Sequence, residues 1–286
     1  MINLLEDKWR TRHGIFPYIV QLGTGATGSY TTQMVAQMMS IFKQDGFYLI
    51  ADPDVIEEKN LKNQFFIKQD IGKKKADVLA KRYSAAYDLQ IASYSEDYIE
   101  DYESLKMLFS NNHLKISDDV RYDVLFLPVI IGCVDNNYTR AVIHEFFERA
   151  GRCLYIDVGN SAASVPSDFG IRPMTEWTDD ESKSYEESGW DGQVVCGLKL
   201  QGETILPPVA EVFPDILSDK DEIAPSQLAC SNIVANDPQR LLTNRMAAMS
   251  VATYLNELFQ SGTISNHMTF FHAKKAYMKS IEVKQS

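Results

Sequence analysis

The run Gly23-Thr24-Gly25-Ala26-Thr27-Gly28 follows Tyr18 to Leu22 (YIVQL), a short β-branched and aromatic stretch, and precedes SYTTQMVAQMMSIFKQDG. Three glycines so spaced, between a strand pattern and a helix pattern, leave few folds open. Beyond the turn, Tyr30, Met34, Met38, Ile41 and Phe42 recur at three- and four-residue spacings and define one helix face, which Gly46 ends. Phe47 to Ala51 (FYLIA) then reads as a second buried strand with Asp52 at its carboxyl end.

The alternation continues. Lys73 to Tyr87 predicts a helix, Leu89 to Ser93 a strand, Val124 to Ile131 a continuous apolar strand, Thr139 to Ala150 a helix and Cys153 to Val158 another strand. Strands alternating with helices imply an α/β, Rossmann-like fold with a doubly wound, mainly parallel sheet and right-handed crossovers. Ligand chemistry then belongs at the carboxyl ends of the strands. After residue 160 the pattern changes. Gln193 to Leu200 and Met268 to Val283 alternate as antiparallel strands do, and Asp237 to Phe259 forms an amphipathic helix that Asp237 can cap, Pro238 can open and Gly262 can end. The acidic stretch Met174 to Asp191 lacks either hydrophobic period and reads as an exposed loop or flap. The 286 residues suit one continuous domain, with residues 1–160 as a nucleotide-binding half and 161–286 as a half that completes the sheet and receives a partner.

Composition removes several functions. The net charge of −11 opposes a nucleic-acid backbone or an anionic membrane as the main partner. The longest apolar run, Phe126 to Gly132, is far short of the roughly 20 residues that span a bilayer, and Met1 to His13 lacks a signal-peptide core, so a cytoplasmic location is expected. Cys133, Cys153, Cys196 and Cys230 form no CxxC pair, and the five histidines form no spaced pair. No zinc site is therefore expected.

A glycine turn ahead of a helix lets backbone approach a phosphate, while the helix N-terminus supplies free N–H donors and partial positive charge. The plainer alternative is a tight turn that packs helix on strand. By itself the turn does not separate a dinucleotide from ATP. Asp52 stands where ribose hydroxyls are bound in such sheets, and Asp54 is either a cofactor-site residue or only a turn residue.

The residues beyond Asp52 depart from a dehydrogenase. Asp52, Asp54, Asn60, Leu61 and Gln64, then Gly72, Lys75 and Ala76, then Asp135, Asn136 and Arg140 resemble, in order, the ThiF/MoeB superfamily of adenylating proteins, which includes the ubiquitin-activating enzymes. The second half is more loosely similar to the ThiF-family protein of bacterial PRTRC gene clusters, through GQVVCG from Gly192, LPPVAEVFPDI from Leu206, ACS from Ala229, and Gln239 with Asn244. The resemblance implies ATP and Mg²⁺ as cofactors. It implies adenylation of the C-terminal carboxylate of a ubiquitin-like or sulfur-carrier protein, and a homodimer.

Residue by residue, it assigns the phosphates to Gly23, Gly25, Gly28 and Lys75, ribose to Asp52, and Mg²⁺ to Asp135, with Asp54 also among the cofactor-binding residues. Asn60, Asn63, Gln64 and Asn136 fall around the triphosphate. The family usually has arginine where this chain has Asn63, so a replacement cation is sought in Arg10 or Arg12, because family dimers insert an arginine from the partner's N-terminal segment.

For a thioester after adenylation, the nucleophile needs exposure and a lowered pKa. Cys133, Cys153 and Cys196 adjoin or lie within strands and read as packed thiols. Cys230, after a polar connector, is the candidate acyl acceptor. Catalysis would then rest on Lys75, Asp135 and Cys230. The peptide tail is expected to enter under the segment from Met174 to Asp191. Two rival readings remain at this point: a nicotinamide-dependent oxidoreductase, and a nucleotide-binding scaffold without turnover.

Overall fold

The computed structural model describes residues 1–7, 10–110, 123–218, 224–227 and 239–284. Its main elements are β1 (Gly14–Leu22), α1 (Ala26–Phe42), β2 (Phe47–Ala51), α2 (Lys75–Tyr87), β3 (Ile91–Tyr94), α3 (Tyr102–Leu108), β4 (Val124–Gly132), α4 (Asn137–Arg149) and β5 (Cys153–Asn160). After these come α5 (Asp179–Glu187), β6 (Asp191–Leu200), β7 (Glu203–Leu206), α6 (Val209–Val212), α7 (Asp215–Ser218), α8 (Leu241–Ser261), β8 (Asn266–His272) and β9 (Tyr277–Glu282).

One sheet of nine strands runs through the whole chain in the order β3-β2-β1-β4-β5-β6-β8-β9, with β7 also pairing β6. The first five in that order are mutually parallel, and β6 turns antiparallel against β5, from Cys153 opposite Lys199 to Asn160 opposite Gly192. The mainly parallel sheet extended by C-terminal antiparallel strands is thus present. Central strands are buried on both faces, which is why they read as continuous apolar runs. Ile19, Val129, Ile131, Leu154 and Ile156 face α1, α2 and α8, while Tyr18, Val20, Ile130 and Tyr155 face α3 and α4. Each such side chain removed from water stabilises the fold by about 1.5–3 kcal/mol.

Two expectations need correction. Met174 to Asp191 is not a loop: α5 occupies half of it, after a 3-10 turn at Met174–Glu176. Thr178 caps α5 through Glu181 N, Glu181 returns the bond, and Arg172 pairs with both Asp168 and Glu181. Trp177, only 9% exposed, packs edge-on against Tyr185. A capping box and aromatic contacts replace the missing hydrophobic period. The long helix begins at Leu241, with Arg240 extended before it, rather than at Asp237; the cap expected from Asp237 and Pro238 falls outside the described residues. Gly262 ends it as expected, at φ +67°. Among the described residues no helix is long and apolar enough to cross a membrane.

Candidate active site

The strand order reverses between β1 and β4, and the glycine turn sits at that switch point. Gly23 has φ +86°, and a Cβ there would stand 2.5 Å from the Cys133 carbonyl oxygen. At Gly28 a Cβ would stand 2.2 Å from the Gly23 carbonyl oxygen, so both positions exclude a side chain. Gly25 is different: its nearest neighbour is Gln64 Nε2 at 4.0 Å. Gly25 is also the N-cap of α1, whose first turn carries no acidic residue. The result is an open concavity under a helix N-terminus with donors to offer. Gln21, fully buried, braces the turn from beneath. Its Nε2 donates to the carbonyls of Gly23 and Gly28, both at 3.0 Å, while Tyr48 donates to its Oε1 at 2.7 Å.

At the end of β2, Asp52 is turned inward. Its Oδ2 accepts from Thr24 N and Thr24 Oγ1, each at 2.7 Å, and its Oδ1 accepts from Asp54 N at 2.9 Å. Asp52 therefore fixes the glycine turn. Burial raises its pKa, against the pull of Lys75. Asp54 is the carboxylate on view, its side chain 41% exposed. It accepts from Lys75 Nζ at 2.7 Å and from Tyr98 Oη at 2.6 Å. Burial alone would raise Asp54, but Lys75 and Tyr98 carry it below the usual carboxylate value. Lys75 opens α2 and is itself buried; burial would lower its pKa, yet Asp52 and Asp54 outweigh that and raise it. A buried, firmly charged ammonium thus faces the cavity.

After β4, Asn136 caps α4, accepting from Thr139 N at 2.8 Å. Asp135 beside it is exposed, and no hydrogen bond or ion pair engages its carboxylate among the described residues. Arg140 is occupied elsewhere. Its guanidinium, 12% exposed, donates to Asp157 Oδ1 at 3.1 Å and to the carbonyls of Val134 and Val158 at 2.7 and 3.0 Å. Tyr155 donates to the other Asp157 oxygen at 2.7 Å. At the end of β5, Asn160 Nδ2 donates to Thr27 Oγ1 at 2.8 Å and Asn244 Oδ1 at 3.0 Å, joining α1, β5 and α8.

These groups line one cavity of about 1220 Å³, running from Gly25, Asp52 and Lys75 through Asp135 to Asn160, Gln193 and Gln239. Of the residues expected at the site, Gly23, Gly25, Asp52, Asp54, Asn63, Gln64, Lys75, Asp135 and Asn136 line it. Gly28 lies behind the turn. Asn60 is buried and accepts from Glu57 N at 2.8 Å, capping the short 3-10 helix Glu58–Lys62. Gln64 Oε1 is buried without a partner.

Cys133 borders the cavity, but burial pushes its thiol up to about 12; burial likewise raises Cys153 and Cys196. Cys230 lies outside the described residues, between Pro225 and Gln239, which both line the cavity. Arg12 lines a separate small pocket with Leu125 and Arg152, at the opposite end of the sheet; the Arg10 side chain is outside the described residues. Reading the sequence missed Gln21, Tyr98, Asp157 and Asn160. Only the strand-end position of Asp157 and Asn160 could have signalled them.

A doubly wound sheet with an uncapped glycine turn, a buried lysine and an unengaged aspartate at its switch point defines an α/β protein of the Rossmann-like class with its candidate ligand site at the carboxyl ends of the strands. The chain belongs to the ThiF family, whose model matches residues 17–164. Among solved structures it is similar to PaaA, at 14% identity and a TM-score of 0.54, with 94% of this chain and 65% of that chain covered. It is similar also to E. coli MccB with ATP, at 15% identity and a TM-score of 0.54, covering 94% and 64%. E. coli MccB with AMPCPP and MccA gives 16% identity and the same TM-score, covering 94% and 64%. The chain therefore spans slightly less than two thirds of the length of these proteins. No curated protein matches it.

Proposed function

We propose that the protein adenylates the C-terminal carboxylate of a small protein or peptide at the expense of ATP. The observation that carries this reading is the open Gly25 turn facing buried Lys75 and unengaged Asp135 in one cavity. Family membership supports the class of reaction, and the peptide MccA found with one structural neighbour supports the class of substrate. Within that class, the sequence likeness favours a ubiquitin-like or sulfur-carrier protein, handled by a homodimer.

The phosphates would lie on the α1 N-terminus and Lys75, whose charge meets the negative charge that grows as the substrate carboxylate displaces pyrophosphate from the α-phosphorus. Asp54, the more accessible acid, suits the ribose better than Asp52, which the Thr24 amide and hydroxyl engage. That engagement also speaks against a nicotinamide dinucleotide, which relies on the strand-end acid for ribose. No group of three or more His, Cys, Asp and Glu side chains among the described residues could hold a metal alone. Mg²⁺ would sit on Asp135 with the phosphates completing its shell, and would neutralise phosphate charge.

Pyrophosphate exchange into ATP, measured with an added ubiquitin-like or sulfur-carrier protein, tests the reading; nicotinamide binding without exchange would overturn it. Asp135→Asn should raise the Mg²⁺ needed for half-maximal exchange about tenfold. An unchanged requirement would remove Asp135 from the site. Cys230 is proposed as the acyl acceptor on the sequence likeness, and Pro225 and Gln239, which precede and follow it in the chain, both line the cavity. Cys230→Ala should leave exchange intact and eliminate any reducible adduct with the carrier, read by non-reducing electrophoresis.

A further inference from the structure

Three cationic side chains line the cavity among the described residues: Lys59, Lys75 and Arg140. Arg140 is buried against Asp157 and two carbonyls. Lys75 is buried and bonded to Asp54. Lys59 alone of the three is solvated, its Nζ 3.1 Å from Glu57, with the two side chains 57% and 60% exposed. An exposed pair of this kind holds weakly in water, so a multiply charged anion displaces Glu57 with little opposition. Lys59 lies in the short 3-10 helix Glu58–Lys62 that Asn63 terminates. At about 2 Å rise per residue the two positions are roughly 8 Å apart along its axis, a gap that a long lysine stem largely bridges. The next residue, Gln64, directs its amide to the open side of Gly25, so this 3-10 helix ends over the phosphate turn.

We infer that Lys59 supplies the phosphate-facing cation that the family usually provides as arginine at position 63. The inference rests on the nucleotide reading above. It makes Lys59 a catalytic residue, donating hydrogen bonds to the outer phosphates and following their charge as pyrophosphate departs. Lys59 would then take the place of the Arg10 or Arg12 expected from a partner's N-terminal segment.

The test is calorimetric titration of the full chain with ATP and with AMP, both with Mg²⁺. Lys59→Ala should weaken ATP about tenfold while leaving AMP within about twofold, since AMP lacks the outer phosphates. Lys59→Arg should hold ATP near wild type, and Asn63→Arg added to Lys59→Ala should recover most of the loss. Lys62→Ala is the control: Lys62 is exposed on the same 3-10 helix and does not line the cavity. Equal ATP affinity in wild type and Lys59→Ala would overturn the inference and leave the nucleotide reading standing. An equal loss in Lys62→Ala would reduce the effect to net charge and overturn it too. A wild type that binds neither ATP nor AMP would instead remove the nucleotide reading itself.

Discussion

Lys75→Met is expected to lower pyrophosphate exchange by about 10³-fold, the upper end for losing one preorganised charge at a reacting phosphate. The reason is the company Lys75 keeps. Its ammonium faces Asp52 and Asp54, and Asp135 is near enough to be felt. With the ammonium removed, a triphosphate entering the cavity meets acids with no buried cation between them. The loss should therefore divide between binding and turnover: weaker ATP affinity because acids repel phosphate, and slower turnover because leaving-group charge goes uncompensated. Methionine keeps the stem that packs at the start of α2, so circular dichroism should be retained, but melting should fall because buried Asp52 loses its cation. Exchange within threefold of wild type would remove Lys75 from the mechanism.

The largest effect on stability should come from Arg140→Leu. Removing the guanidinium strands Asp157, which is 2% exposed, beside a tyrosine hydroxyl with no cation. Breaking a buried pair from one side costs about 3–5 kcal/mol. Burial already raises the Asp157 pKa, and Arg140 is the first influence holding it down, so the substitution lets it climb further. A folded-state pKa above the unfolded value near 3.9 means that the native protein binds the extra proton, which sets the sign of the pH dependence. The deficit of Arg140→Leu should be full at neutral pH, shrink as pH falls through the raised folded pKa, and be smallest near the unfolded value. Urea titrations at pH 7.5 and 5 would read this. Adding Asp157→Asn should recover part of the stability at pH 7.5 and flatten the pH dependence. A deficit that grows on acidification would contradict the assignment.

The parallel half of the fold was legible because its central strands are buried on both faces, as Val124 to Ile131 illustrates; α1 forms where expected but buries Thr31, Thr32, Val35, Ala36 and Met39 rather than the face from Tyr30 to Phe42, whose Ile41 is 66% exposed. Element ends were less legible. β5 extends to Asn160 because Gly159 and Asn160 pair with Gln193 and Gly192, a partnership that no local pattern encodes. α5 escaped notice because its stability lies in Thr178, Glu181, Arg172 and Trp177, contacts between residues with no common period. At the site, sequence order placed most of the cavity lining but not the direction in which side chains turn. Asp52 points to Thr24 and Asp54 to Lys75, a choice settled by the Thr24 amide and hydroxyl. Gln21 was invisible for the same reason: a glutamine inside a strand becomes meaningful only when the turn above it is folded.

The reversal of direction at β6 sets how far the cavity can reach. Had β6 run parallel to its neighbours, its opening residues would have emerged at the opposite end of the molecule, and the groove would have stopped at Asn160. Because it runs the other way, Gly192 and Gln193 begin where Asn160 finishes, and the cavity continues from Gly25 and Lys75 to Gln193 and Gln239. On the reading proposed above, that continuous cavity is where an extended polypeptide terminus would lie.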